Sequence, residues 1–330
     1  MARGYRSGPI LASQSIMVNA LALSIFTLFV LGLLALDLGL IQRRPKVLTF
    51  RQAFLVSGAW IALALAFNLG IYIWRGPQPA LEFLTGYVLE MSLSLDNVFI
   101  FALTFTYAAV PTEHQHRVLF WGVLGALVMR AIFIVSGVEL VTHFRWVFYI
   151  FGAFLVVSGL SFFRKRKKGL SPARNPALKL AHKLFSVTDD YEGALFFVRR
   201  NGYLLATPLF FVLLMIETTD VLMAVDSIPA VLGVTTDPFI VYTSNVFAVL
   251  GLRALYFVLA RALMKFRYLH VGLALVLVFI GTTMLGADFY KLPTRCSLQV
   301  ICAIISLTII ISVFTGYTSG GQGSGHRGSK

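Results

Sequence analysis

Five acidic side chains lie inside long apolar stretches of this sequence, where a folded chain would offer them little water. Glu90 and Asp96 lie in one stretch, and Glu217, Asp220 and Asp226 lie in another. A carboxylate at the centre of a bilayer costs about 2.5 kcal/mol or more, so such groups are usually paired or functional. Five of them would cost on the order of 12 kcal/mol, comparable to the stability of a typical domain. We therefore expect a compensating positive charge.

Two arginines within predicted helices, Arg130 and Arg253, can offset two of these five negative charges. Three charges remain if every acid is ionised, and a bound divalent cation together with one protonated carboxylate would neutralise them. Ion pairing with additional protonation and no metal is the alternative that the sequence leaves open.

The side chains around the acids supply oxygen rather than nitrogen or sulfur. Asn97 and Ser227 directly follow two of the acids, and oxygen donors of this kind suit Mg²⁺, Ca²⁺ and Mn²⁺. The six histidines lie near predicted loops or helix ends, and the two cysteines form no CxxC pair, which disfavours a zinc or copper site. The predicted metal ligands are Glu90, Asp96, Asn97, Glu217, Asp220, Asp226 and Ser227.

The helical spacing of these ligands complicates a single site. Glu90 and Asn97 are seven residues apart and share a helix face, whereas Asp96 points elsewhere on an ideal helix. The second stretch has the same spacing. One compact site therefore requires local unwinding, a bulge, or two neighbouring sites. Pro229, three residues after Asp226, predicts an interruption of that helix because proline removes a backbone donor.

The elements that position these residues are predicted to be membrane-spanning helices. Hydrophobic residues make up 58% of the sequence and charged residues 13%, whereas a soluble domain carries charge on about a quarter of its residues. Helices satisfy their own backbone groups in a bilayer and need roughly 20 apolar residues to cross it. The sequence predicts an all-α polytopic fold, a single membrane domain over 1–330. Its nine predicted helices are 16–41, 53–74, 81–109, 117–139, 145–163, 203–232, 239–260, 268–287 and 297–315.

An internal repeat relates two groups of these helices. The matching positions, at offsets of 122 to 130 residues, are Glu90 with Asp220, Asp96 with Asp226, Asn97 with Ser227, Arg130 with Arg253, and Gly159 with Gly281. Their common order predicts two three-helix units, 81–163 and 203–285. Because three is odd, the second unit enters the membrane from the opposite side. Inverted repeats of this kind bind their substrate near the bilayer midplane.

The distribution of positive charge predicts the orientation of the chain. Of the 28 Lys and Arg residues, 20 lie in one set of alternate loops and six in the other, which predicts an outside N-terminus and a cytoplasmic C-terminus. The basic loop 164–202 is predicted to be cytoplasmic and to carry a short helix on anionic lipid headgroups, with a regulatory or partner-binding role as the alternative. The tail 316–330 is rich in Gly and Ser, which predicts a flexible segment.

Two function classes are disfavoured by what the sequence lacks. The net charge of +14 is not accompanied by a P-loop, RRM-like or zinc-finger pattern, so we expect no nucleic-acid partner. No GxSxG, HExxH or Ser/Lys constellation is present, so we do not expect an enzyme.

Three stretches of the sequence resemble the TerC family, especially its Alx-like branch. They are 90–99 (EMSLSLDNVF), 217–230 and 235–254, and the likeness extends over 37–290. The resemblance implies a bacterial inner-membrane protein of the LysE-like transporter group, a family named for tellurium resistance and including members implicated in manganese export. It also implies that the five acids named above handle the metal.

We therefore expect a transporter that exports a divalent cation through midplane carboxylates. The resemblance favours Mn²⁺ as that ion, while the residues themselves leave the choice among Mn²⁺, Ca²⁺ and Mg²⁺ open. Proton exchange is the expected driving force. The ion is the substrate, the lipid bilayer is the other expected partner, and no cofactor is expected. The alternative is a membrane-embedded factor that supports the metalation or assembly of exported proteins, which would use the same acids without net ion flux of its own.

Overall fold

The computed structural model of the chain describes residues 21–35, 50–164, 178, 183, 185–188, 190–200, 202–259, 268–290 and 292–320. The chain divides into two compact units, Met1–Val47 and Leu48–Lys330. The described residues of the first unit form helix α1, Leu21–Ala35. All other described elements belong to the second unit.

Apolar helices build the second unit. They are α2 (Phe50–Arg75), α3 (Pro77–Tyr107), α4 (Thr112–His143), α5 (Arg145–Arg164), α6 (Pro208–Leu232), α7 (Pro238–Leu259), α8 (Leu269–Leu285) and α9 (Thr294–Gly320). Within the described residues, six helices are long and apolar enough to cross a membrane, namely α2 to α6 and α9. The main architecture is therefore that of a predominantly helical, multi-pass membrane protein, while the count of nine spans stays a prediction.

Proline and glycine mark several helix boundaries. Helices α3, α6 and α7 begin at Pro77, Pro208 and Pro238, and proline suits the first turn because its missing N–H has no intrahelical acceptor there. Gly76 has a φ of 94°, a conformation that side chains disfavour. The glycine thus allows the sharp turn that separates α2 from α3.

Helix α6 continues through Pro229, so the predicted interruption at this proline is wrong. The proline lies in the last turn of the helix, and the Gly233 N–H donates to its carbonyl oxygen over 3.0 Å. A proline this close to the end costs the helix one backbone hydrogen bond without dividing it. The acids of α6 are therefore carried by a continuous helix.

Two short strands precede α6, in a region where helix is predicted from residue 203. Strands β1 (Phe197–Arg200) and β2 (Tyr203–Ala206) pair antiparallel, and Gly202 has a φ of 85° at the turn between them. Asn-Gly is the sequence signal of such a two-residue turn. The predicted helix start at 203 is therefore wrong.

The segment around this hairpin contacts helix α4 and the turn between α3 and α4. The Tyr191 hydroxyl donates to the Ala108 carbonyl oxygen over 2.6 Å. Burial raises the pKa of Tyr191, which keeps the hydroxyl protonated as a donor. The Arg117 guanidinium carbon lies 5.5 Å from the centre of the Phe196 ring. This end of the predicted cytoplasmic loop is thus packed on the helices, while its basic start lies outside the described residues.

Helix α9 extends beyond its predicted end at residue 315. It reaches Gly320, five residues into the predicted tail 316–330. The remaining residues, 321–330, lie outside the described part of the chain, so the flexibility of the tail stays a prediction there.

Helices α5 and α8 approach each other closely through glycines. A Cβ built on Gly159 would lie 2.7 Å from the backbone oxygen of Ala274, and one built on Gly281 would lie 2.6 Å from the backbone oxygen of Gly152. Gly159 and Gly281 are 122 residues apart, as are Gly152 and Ala274. The two contacts are therefore equivalent under the offset that relates these two helices in the predicted repeat.

The other main helix pairs follow the same pattern. Helix α3 packs along α7, and α4 packs along α6. Exchanging α3, α4 and α5 with α6, α7 and α8 converts each of these pairings into the other and leaves the α5 and α8 pairing unchanged. The acids of α3 and α6 thereby come to the same region of the second unit.

Candidate functional site

A buried arginine joins two of the predicted acids. The Arg130 guanidinium on α4 forms ion pairs with Glu90 of α3 and Asp220 of α6. Its Nε and Nη2 atoms donate to the two Asp220 carboxylate oxygens over 3.1 Å each, and Nη1 also donates to Asn245 Oδ1 of α7 over 2.7 Å. One cation thus faces two anions, and the cluster keeps a net negative charge when both acids are ionised. Arg130 is the charge partner that the sequence predicts.

A small cavity of about 20 Å³ lies beside Arg130, a size that holds roughly one water molecule or ion. Helices α3, α4, α5, α6 and α8 line it, with Phe162, Leu273 and Leu277 forming an apolar wall. The polar side chains that line it are Glu90, Asp96, Asn97, Arg130, Asp226 and Ser227. The structure therefore brings five of the seven predicted ligands to one cavity.

Three buried oxygen atoms of the lining residues have no hydrogen-bond partner among the described residues. They are Glu90 Oε2, Asn97 Oδ1 and Ser227 Oγ. The exposed fractions of these three residues are 0%, 2% and 3%, respectively. Buried oxygen atoms in folded proteins nearly always have a partner, so these three need one. A cation in the cavity would supply it, because a carboxylate, an amide oxygen and a hydroxyl are ligands of hard divalent ions.

Continuous helices are sufficient to present these side chains to one cavity. On an α-helix, Glu90, Leu93, Asp96 and Asn97 span an arc of about 120°, and the cavity is wide enough to be lined by all four. Of the three explanations that the sequence leaves open, the structure needs neither unwinding nor a bulge, since α3 is helical throughout Pro77–Tyr107.

Neutral side chains hold the acids in place. The Ser158 hydroxyl of α5 donates to Asp226 Oδ1 over 2.8 Å, and Asn97 Nδ2 donates to Asp220 Oδ1 over 3.5 Å. Ser158 is not among the residues that the sequence predicts, whereas Asn245 is expected as a nearby oxygen donor without being one of the seven predicted ligands. The signal that could have found Ser158 is a hydroxyl in an apolar helix, directly before a glycine that packs against α8.

Two predicted acids do not line the cavity, and one predicted arginine side chain lies outside the described residues. Glu217 of α6 lies against Gly125 of α4, where a Cβ on the glycine would overlap the carboxylate, and it does not line the cavity. Asp220 does not line the cavity either, but it contacts the lining residues Arg130 and Asn97. The backbone of Arg253 belongs to α7, but its side chain lies outside the described residues, so its role as a charge partner stays a prediction.

The acids alone do not form a preformed metal site. Within the described part of the chain, no three His, Cys, Asp or Glu side chains converge closely enough to hold an ion. An ion in the cavity would therefore need the amide and hydroxyl oxygens of Asn97 and Ser227 beside the carboxylates, together with small side-chain movements.

Comparison with known proteins gives the chain a family. The sequence profile described as the integral membrane protein TerC family matches residues 75–320, which include the whole cavity. The chain is 47% identical over 288 residues to a Myxococcus xanthus protein named "Uncharacterized membrane protein STKORF319", covering 87% of this chain and 90% of that protein. No solved structure matches this chain.

Two further relatives carry the same likeness over nearly their whole length. The chain is 44% identical over 310 residues to the Escherichia coli (strain K12) protein named "Putative membrane-bound redox modulator Alx", covering 91% of this chain and 96% of that protein. It is 38% identical over 289 residues to a membrane protein of Rickettsia bellii (strain RML369-C), covering 88% and 96%. The chain belongs to the TerC family of integral membrane proteins.

Proposed function

We propose that this protein exports a divalent cation, Mn²⁺ in the first place, across the bacterial inner membrane. The observation that carries the proposal is the cavity in which buried oxygen atoms of Glu90, Asn97 and Ser227 have no partner among the described residues. Asp96 and Asp226 line the same cavity. Such a site lowers the cost of removing water from a hard cation, because carboxylate and amide oxygens replace part of the hydration shell.

We further propose that the helices around the cavity form two inverted three-helix repeats. Two observations support this: the glycine contacts between α5 and α8 are equivalent under an offset of 122 residues, and the pairing of α3 with α7 mirrors that of α6 with α4. In transporters with inverted repeats, one repeat rocks against the other around a central site. The same motion here would expose the cavity to each side in turn.

The charges around the cavity suggest how protons would drive the ion. The Arg130 guanidinium pairs with the carboxylates of Glu90 and Asp220, and the carboxylates of Asp96 and Asp226 line the same cavity. A divalent cation that enters adds two positive charges to this low-dielectric region. Release of two protons as the ion enters, and their return as it leaves, keeps the charge of the region constant.

The alternative function is a membrane-embedded factor that supports the metalation or assembly of exported proteins. Such a factor would bind the ion at the same acids and pass it to a partner, so it would show no flux in a membrane that contains this chain alone. The Escherichia coli relative is named as a redox modulator. In this chain both cysteines, Cys296 and Cys302, are free thiols on α9, and neither lines the cavity.

Ion flux through the purified protein in liposomes separates transporter from assembly factor. With a manganese-sensitive dye inside the liposomes, we expect wild-type protein to admit Mn²⁺ and to move protons the opposite way, reported by a pH-sensitive dye. Asp96→Asn and Asp226→Asn remove carboxylates from the cavity and should lower the flux at least about tenfold. Asp190→Asn, an exposed position near the hairpin, is the matched control and should leave the flux unchanged.

Three outcomes would contradict the proposal in different ways. Absence of Mn²⁺ flux from a protein that binds Mn²⁺ would favour the assembly factor. Equal flux in wild type and both cavity variants would remove the cavity from the path. Manganese flux without proton movement would remove the proton coupling alone.

A further inference from the structure

We propose that Met223 sets the ion preference of the cavity, favouring Mn²⁺ over Mg²⁺ and Ca²⁺. The inference rests on the proposed function, since it concerns the selectivity of the same site. Met223 lies on α6 between Asp220 and Asp226 and lines the cavity together with the acids. Among the described lining residues, its thioether is the one sulfur; all other heteroatoms there are oxygen or nitrogen.

The oxygen ligands do not by themselves explain a preference for manganese. Carboxylate, amide and hydroxyl oxygens suit Mg²⁺, Ca²⁺ and Mn²⁺ alike. A thioether is polarisable and uncharged, and it is a soft ligand that favours transition metals over the hard alkaline-earth ions. Where a sulfur atom takes one position around the ion, Mg²⁺ and Ca²⁺ lose an oxygen ligand that they need, whereas Mn²⁺ retains a usable contact.

The methionine occurs in one of the two predicted repeats and not in the other. At the offset of 130 residues, Leu93 of α3 is the counterpart of Met223, and both side chains line the cavity. The flanking counterparts are chemically matched, acid with acid at Asp96 and Asp226. The cavity is therefore lined by a methionine from one predicted repeat and by a leucine, which offers no donor atom, from the other. Met223→Leu removes the soft donor and introduces the residue type that occupies the equivalent position.

Equilibrium ion binding to the purified full-length protein tests the inference. Calorimetric titrations with Mn²⁺, Mg²⁺, Ca²⁺ and Cd²⁺ give each dissociation constant separately. Met223→Leu conserves volume, so the fold should tolerate it. Relative to wild type, we expect this variant to weaken Mn²⁺ binding about tenfold. Cd²⁺ binding should weaken by a larger factor, since Cd²⁺ is the softer ion. Binding of Mg²⁺ and Ca²⁺ should change by less than about twofold.

A second variant and a control keep the test independent of folding. Met223→Gln replaces the sulfur by an oxygen on a chain of similar length and should strengthen Mg²⁺ and Ca²⁺ binding relative to Mn²⁺. Met215→Leu makes the same change as Met223→Leu on the same helix, at a residue that packs beside Phe211 and does not line the cavity. It should leave all four dissociation constants unchanged.

The outcomes separate this inference from the function on which it rests. Tight Mn²⁺ binding with the same preference over Mg²⁺ in wild type, Met223→Leu and Met223→Gln would overturn the role of Met223 and leave the cation site standing. Failure of the wild-type protein to bind any of the four ions would overturn both the site and the inference.

Discussion

The carboxylates of Glu90 and Asp220 depend on Arg130 for charge compensation. Its guanidinium is buried between Glu90 and Asp220 and also donates to Asn245. A buried ion pair is a weak source of net stability, but removal of one partner leaves the other charge without compensation in a region of low dielectric constant. The arginine is therefore required by the acids that surround it, whatever ion the cavity binds.

Substitution of Arg130 by glutamine should destabilise the protein by about 3–5 kcal/mol, because two buried carboxylates lose their cation. Thermal unfolding in detergent, followed by tryptophan fluorescence, measures the effect. Adding Glu90→Gln and Asp220→Asn to this variant should restore more than half of the loss, since no buried charge remains. The matched control is Arg145→Gln, at an exposed ion pair with an N···O distance of 3.7 Å, which should shift stability by less than about 1 kcal/mol. Equal unfolding temperatures for Arg130→Gln and wild type would contradict this account of the cluster.

The free energy of burying charge explains which residues could be predicted from the sequence. Acids in apolar stretches are costly, so Glu90, Asp96 and Asp226 are visible without a structure, and all three line the cavity. Glu217 is equally costly but lies against Gly125 instead, because the cost says nothing about direction. Ser158 carries no charge and gives little signal, although it holds Asp226.

At the scale of elements, the close contact of α5 with α8 fixes one side of the cavity. Leu273 and Leu277 of α8 line the apolar wall, and glycines set how near that helix can come. Small residues allow helices in a bilayer to approach closely and gain van der Waals contact. A side chain at these positions would push α8 away and open the wall.

Gly281→Ala should therefore lower the free energy of unfolding by about 1–3 kcal/mol. The new Cβ would lie 2.6 Å from the Gly152 backbone oxygen and 2.8 Å from the Val156 backbone nitrogen, and backbone atoms cannot move aside cheaply. The control is Gly70→Ala on α2, where nothing lies within 4 Å of the added Cβ. That change should be neutral or stabilising by up to about 1 kcal/mol. Thermal unfolding of the two variants side by side gives the answer, and equal shifts would argue against close packing of α5 on α8.

Hydropathy predicts the apolar helices but neither their ends nor the hairpin. The apolar run Tyr203–Ala206 is continuous in composition with α6, so hydropathy predicts that it belongs to that helix, whereas it forms strand β2. The turn residue Gly202 and the helix-starting Pro208 were the local signals for a hairpin. Pro229 illustrates the opposite error, because a proline in a last turn removes a single hydrogen bond and need not break a helix.

The whole chain is a membrane protein in which buried negative charge requires compensation. The chain is a multi-pass membrane protein of the TerC family, and its net charge of +14 contrasts with the negative charge concentrated at the cavity. Composition predicted the membrane, and offsets in the sequence predicted the repeat. Which acids meet depended on helix packing, which a one-dimensional pattern does not encode.

Direct titration of the purified protein with Mn²⁺ tests whether the buried oxygen atoms of this cavity hold a divalent cation. Electron paramagnetic resonance reports free Mn²⁺ by its six-line signal, which weakens when the ion binds. We expect one saturable site in the wild-type protein and at least about tenfold weaker binding when Asp96→Asn and Asp226→Asn are combined. Binding that never saturates, or an affinity that these two substitutions leave unchanged, would contradict it and favour ion pairing with protonation and no metal.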